Sequence, residues 1–360
     1  LALSALGTAS AAAAQPETPR AVPMGSSDEA SAGDDGEDAF FSLEIPPPES
    51  AYPGSALERL FVPRSFSPEM RARIKSVIRD AALPDTSRGP ISVCFHDGTD
   101  ALARRVAQVA RRWEIPGTSV RFDFGDAASP RRCYNTAGAA IRISFSGRGT
   151  WSVVGRESRF ASEATMNFDQ GRDWMTAPDR DFARIVLHEF GHALGLYHEH
   201  QHPAAKCAEE IDWTKAMALY RGANYNQSET VVRRNFEVLL TSFTAGEFDD
   251  KSIMIYDLPR SIFRRDLFAG GNKPSCYFTY RPEAISDGDR EAILKFYPAD
   301  LKSVQDMRIA AFENYRSLVI ESDDGARALG VAAAFYPFAD PEEARPYLDY
   351  GQQLMRVDRD

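Results

Sequence analysis

Apolar and polar positions divide the chain into a loosely patterned front and a body that begins near residue 90. ISVCF (91–95), SVRFDF (119–124) and IRISF (141–145) alternate as strands do, and EATMNFD (163–169) alternates less cleanly. DALARRVAQVARRW (100–113) gathers its apolar residues on one face of a helix. A second helix is predicted from Asp179 or Asp181 through DFARIVLHEFGHALGL, with Phe182, Ile185, Val186, Phe190 and Leu194 available for packing. Long irregular segments follow. Another helix is marked at SDGDREAILKFYP, where Ser286 can cap, acids fill the first turn and Pro298 follows the end. Residues 301–360 carry further helical patterns such as VQDMRIAAFENYRSLVI, to which no chemistry attaches.

The front reads differently. LALSALGTASAAAA (1–14) has the apolar run and small residues of a signal-peptide remnant, with Ala12, Ala13 and Ala14 before Gln15. Residues 15–88 form a leader or propeptide-like segment. Its first part, with GDDGED and IPPPES, buries too little apolar surface to offset the entropy of ordering. Within it, Ser67, Pro68 and the stripe Met70, Ile74, Val77 and Ile78 predict a helix to about Leu83. The domains expected are therefore the remnant at 1–14, the leader at 15–88, a catalytic body at 89–299 and a helical appendage at 300–360.

Composition adds exclusions. Hydrophobic residues make up 43% and charged residues 26% of 360, as in ordinary globular proteins. The net charge of −10 lacks the basic footprint of a nucleic-acid binder. No run approaches the roughly 20 apolar residues of a membrane span. Cys94, Cys133, Cys207 and Cys276 suit two disulfides in an oxidising compartment, secreted or periplasmic. Of three pairings, Cys94 with Cys133 and Cys207 with Cys276 is preferred, because each pair stays within one half of the catalytic unit; four buried thiols are the alternative.

Five of the six histidines lie between 188 and 202, in HEFGHALGLYHEHQH. His188 and His192 are four apart on a predicted helix, so their imidazoles project from one face and can share a metal ion. Gly195 suits the left-handed residue that ends a helix, and His198 can then swing back as a third ligand. Three ligands leave zinc a position for water, as catalysis needs. Glu189 stands beside them as general base. His200 and His202 read as solvated surface residues, and His96 is assigned no role.

HExxHxxGxxH demands three ligands and a turn glycine at fixed offsets, and on these residues the chain resembles the metzincin metallopeptidases. His198-Glu199 makes it most similar to the astacin branch and its bacterial relatives, and SIMIY (252–256) resembles the astacin-type Met-turn. The resemblance covers about residues 90–298. It implies an α+β fold: a twisted mixed β-sheet, an active-site helix over the zinc cleft and a mostly irregular lower subdomain. It also implies one catalytic zinc ion, Met254 as a floor beneath the histidines, Tyr256 as a further ligand or oxyanion donor, an edge-like strand at 163–169, and a protein or peptide substrate. Two departures stand out: Ile255 replaces the His usual after the Met, and Gln201-His202-Pro203 replaces an Arg- and Asp-rich run. The competing class is a secreted zinc-containing binding or adhesion protein that has lost catalysis. Such a protein would be expected to lack Glu189 or a ligand, and this chain lacks neither. Oligomeric state is not legible in the sequence.

Overall fold

In a computed structural model of the protein, the alternating segments join one five-stranded sheet. β1 (Ile91–Phe95), β2 (Phe122–Asp123), β3 (Ile141–Ser144), β4 (Trp151–Ser152) and β5 (Met166–Asn167) lie in the order β2-β1-β3-β5-β4. The pairs β1–β2, β1–β3 and β3–β5 are parallel, whereas β4 runs antiparallel to β5. The structure describes residues 83–335 apart from 135–138, 162, 223–226, 237, 239–245, 256–257, 279–280 and 321–323, together with a few positions in 62–67 and 345–353. These positions all fall in the second of the chain's two units, Phe40–Asp360; the first, Leu1–Ala39, lies outside the described residues. So do most of the expected leader and of its helix from Ser67.

The parallel strands need helical crossovers, and the amphipathic segment after β1 supplies the first. α1 (Asp100–Ala110) starts at Thr99, whose hydroxyl accepts the Leu102 N–H at 3.1 Å, and it buries Leu102, Val106 and Val109. A short 3-10 turn, Arg111–Trp113, extends it and carries Trp113 into the core. α2 (Asp179–Ala193) packs against α1. Arg105 of α1 ties the start of α2 down. Its guanidinium donates to Ala177 O at 2.6 Å and to Asp179 Oδ1 at 2.7 Å, and lies 4.1 Å from the Phe182 ring centroid. Phe122 of β2 meets Phe190 of α2 edge-on at 5.2 Å, so the sheet and the helix share one aromatic core. Leu83 and Thr86, on the leader side of the boundary expected at residue 89, are buried, Leu83 within that core.

Below α2 the chain is less irregular than its sequence suggests. α3 (Trp213–Arg221), capped by Asp212, and α4 (Glu229–Phe236) build a second core with Ile211, Ile262 and Phe263. The Cys207–Cys276 disulfide lies inside this core, and the Cys94–Cys133 disulfide joins β1 to the segment beside it. Both pairings agree with the expectation. α5 (Asp287–Phe296) returns to the upper core. α6 (Leu301–Val319) and α7 (Gly325–Phe335) pack on each other, and α6 also covers Thr86–Arg88. The fold is α+β, as expected. One strand assignment changes. The expected edge-like strand at 163–169 yields β5, which lies between β3 and β4, and the antiparallel edge is β4. No helix among the described residues is long and apolar enough to cross a membrane.

Candidate metal centre

α2 delivers the first two histidines. His188 and His192 are one turn apart and both buried, and their ring centroids lie 4.8 Å apart. The helix then ends in a Schellman turn. Gly195 N–H donates to His192 O at 2.8 Å and Leu196 N–H to Gly191 O at 3.0 Å, with Gly195 at φ 95°. A β-carbon on Gly195 would stand 2.6 Å from Leu83 Cδ2, so this position needs glycine for conformation and for space. The reversal brings His198 back to 4.6 Å from the His192 ring and 5.2 Å from the His188 ring. One nitrogen from each histidine falls in a cluster whose members lie within 4.8 Å of one another.

Donor chemistry decides what such a cluster can hold. His188 Nδ1–H donates to Ile253 O and His192 Nδ1–H to Leu196 O, each at 2.8 Å. Both bonds fix the tautomer that leaves Nε2 as a neutral donor, the outer support that metal-binding histidines generally have. His192 Nε2 and His198 Nε2 are 3.1 Å apart. A tetrahedral site with zinc–nitrogen bonds of about 2.1 Å has edges of about 3.4 Å. The residues fit a zinc ion.

The segment beneath the histidines is anchored from below. Ser252 Oγ–H and Ile253 N–H donate to the two oxygens of Asp289, at 2.7 and 2.9 Å. Asp289 also closes a capping box with Ser286 at the start of α5. The carbonyl of the same Ile253 orients His188, so α5 supports a candidate ligand through a single intervening residue. Met254, 1% exposed, packs against α2 where the helix has Gly191. A β-carbon on Gly191 would collide with Met254 Sδ. The Met254 carbonyl accepts the Glu199 N–H at 3.0 Å, joining this segment to the residue after His198. Trp113 Nε1–H donates to Leu187 O at 2.9 Å, steadying α2 beside the first ligand.

Glu189 is buried in α2 next to His188. Glu199 accepts the Asp249 N–H at 2.8 Å. Burial pushes the Glu199 carboxyl up to about 7; the Asp249 N–H opposes that rise, while the Asp289 and Asp249 carboxylates add to it. Tyr256 lies outside the described residues. His200 departs from its expected solvated setting. It is 2% exposed, its Nε2–H donates to Asn235 O at 2.7 Å, and its ring packs 5.7 Å from Phe236. His202 is partly buried, and its Nε2–H donates to Gly246 O at 3.2 Å. Sequence reasoning passed over Gly191 and Asp289. A glycine inside a helical pattern was a signal for the first; the second was visible as a first-turn acid after Ser286, but nothing local tied it to Ser252 and Ile253.

A sequence model of the matrixin family of peptidases matches residues 135–208, which include α2, its terminal turn and all three histidines. Among solved structures, the chain is similar to myroilysin, at 29% identity and a TM-score of 0.48 over 61% of this chain and 97% of that one. A crystal structure of myroilysin aligns at 26% identity and a TM-score of 0.43, over 61% and 86%. High choriolytic enzyme 1, a hatching enzyme zinc-protease from the medaka fish Oryzias latipes, aligns at 16% identity and a TM-score of 0.36, over 59% and 90%. No curated protein matches the sequence. The matched segment, with its three convergent imidazoles, supports a metzincin-like zinc metallopeptidase, a hydrolase of peptide bonds with a catalytic zinc as cofactor.

Proposed function

We propose that the chain is a secreted endopeptidase whose zinc is held by His188, His192 and His198, with Glu189 as general base. The observation that carries this reading is the convergence of three imidazoles, two of them with Nδ1–H committed to backbone carbonyls. When bound, zinc supplies Lewis acidity, lowering the pKa of a water to about 7 and polarising the scissile carbonyl. Glu189 takes the proton of the attacking water and returns it to the departing amine. Tyr256, by resemblance alone, serves as an additional ligand or as a donor to the oxyanion. An extended substrate adds to the sheet at β4, its outer strand, through backbone hydrogen bonds. Secretion accords with the two disulfides.

The test pairs zinc content with cleavage of an unfolded protein substrate. Wild type and Glu189→Ala should each bind one zinc, while the substitution lowers kcat by about 10²–10⁴-fold. His192→Ala should lose both zinc and activity. Wild-type cleavage by Glu189→Ala, or full zinc retention by His192→Ala, would sink the assignment. Zinc in both proteins without cleavage in either would point to a latent precursor that trimming the leader, short of the buried Leu83, should activate. Failure of trimming would favour the binding-protein reading.

A further inference from the structure

Arg308 belongs to α6, in the appendage to which no chemistry attaches by pattern, yet it is 3% exposed. Its Nη2 donates to two consecutive carbonyls, Leu83 O at 2.7 Å and Pro84 O at 2.8 Å. A guanidinium offers planar, divergent N–H groups, which can hold two successive peptide units in one orientation. Leu83 is thereby fixed where its side chain fills the space beside the Gly195 α-carbon, which has no β-carbon of its own there. The Gly195–Leu196 turn does two things for the metal centre. Its Leu196 carbonyl orients His192, and its reversal returns His198 to the cluster.

We propose that Arg308 is a positioning residue for the zinc site: through Leu83 it holds the Gly195–Leu196 turn in the form that presents His192 and His198 together. The appendage is then part of the metal centre's support rather than an addition beside it. Tyr297 reinforces the same turn from the end of α5. Its buried hydroxyl donates to Leu194 O at 2.7 Å, and burial pushes the phenol well above its ordinary pKa, so the donor keeps its proton. The turn is thus held from two sides, by Tyr297 at its first residue and by Leu83 at its glycine.

This inference rests on the proposed histidine ligands and is tested on the full chain in the Glu189→Ala background, which prevents self-cleavage. Zinc affinity is measured by competition with a chelator, and the visible spectrum of the cobalt(II)-loaded protein reports ligand geometry. Arg308→Met and Leu83→Ala should each weaken zinc binding by about tenfold, in the range found when outer support of a ligand is lost. Each should also alter the cobalt spectrum, and the double variant should be little worse than either alone. Arg308→Lys, which keeps a donor and the charge, should recover part of the affinity. Val319→Ala, a buried truncation on the same helix, should lower Tm and leave affinity and spectrum unchanged. The proposal is overturned if folded Arg308→Met keeps affinity within about twofold of its background, a change too small for lost ligand support. It is equally overturned if Val319→Ala weakens zinc as much. Should Arg308→Met not fold, an unaltered affinity and spectrum in Leu83→Ala overturns it. Loss of zinc in His192→Ala shows separately that the ligand assignment stands; a reference protein that binds no zinc overturns both readings.

Discussion

At the scale of single residues, the centre depends on two glycines that a composition count would treat as alike. Gly191 sits inside the last turn of α2, where glycine is costly, and is accounted for by the sulfur of Met254 against its α-carbon. Gly195 sits at the end with φ 95° and Leu83 beside it. Gly195→Ala must bear a left-handed alanine, at about 1–2 kcal/mol, and must also displace Leu83. The expected result is a loss of about 2 kcal/mol, or a Tm lower by about 4–8 °C, measurable by calorimetry on the Glu189→Ala background. An unchanged Tm would mean that the turn has another conformation. His188, His192, Glu189 and Gly195 were legible because their offsets are helical arithmetic. The burial of His200 was not. In the polar run HEHQH it looks exposed, and its partners, Asn235 and Phe236, are more than thirty residues away.

At the scale of elements, the joint between α5 and the segment 252–254 matters most. Asp289 accepts from Ser252, Ile253 and Ser286, and Ile253 in turn accepts from His188. Asparagine has the same shape but replaces one acceptor oxygen with donors, so N–H groups that now converge on a carboxylate would face an N–H instead. Asp289→Asn should cost about 2–3 kcal/mol, as expected for a lost hydrogen bond to a buried charge. It should also weaken zinc by about tenfold through His188. Urea unfolding and chelator competition check the two effects separately; a stability loss without an affinity loss would confine Asp289 to capping α5. Elements with strong local signals were legible: β1, α1 and α5 match their predicted spans closely. β4 was not, since Trp151–Ser152 is two residues long and owes its strand character to pairing with β5. The order along the sheet is equally non-local, which is why the edge was assigned to the wrong strand. α3 and α4 were missed although Asp212 and Ser228 mark their starts, because each is little more than two turns long and shows no sustained helical period.

At the scale of the whole molecule, the two cores differ in what holds them. The upper one has the sheet, α1, α2 and α5 packed on each other. The lower one has short helices, no strand of the sheet, and the Cys207–Cys276 bridge across a separation of 69 residues. On the chain-entropy account, closing a loop of that length is worth about 4 kcal/mol, and the Cys94–Cys133 bridge is worth only slightly less. Equal bridge energies do not give equal consequences, because the upper core keeps its parallel ladder when its bridge is removed. Cys207→Ser with Cys276→Ser should therefore open the lower half locally, raising amide exchange across 205–278 while β1, β3 and α2 stay protected. Cys94→Ser with Cys133→Ser should instead lower the stability of the upper core as a unit, with no new fast-exchanging segment below it. Exchange read by mass spectrometry separates these outcomes. Ile253 and Met254, which accept from His188 and Glu199, pack in the upper core but lie in the chain between Phe248 and Leu258 of the lower one, so its loosening should reach the metal: the Cys207–Cys276 variant loses zinc to a chelator faster than the Cys94–Cys133 variant does. Equal loss rates in the two would show that the lower core encloses the cleft without governing its ligands.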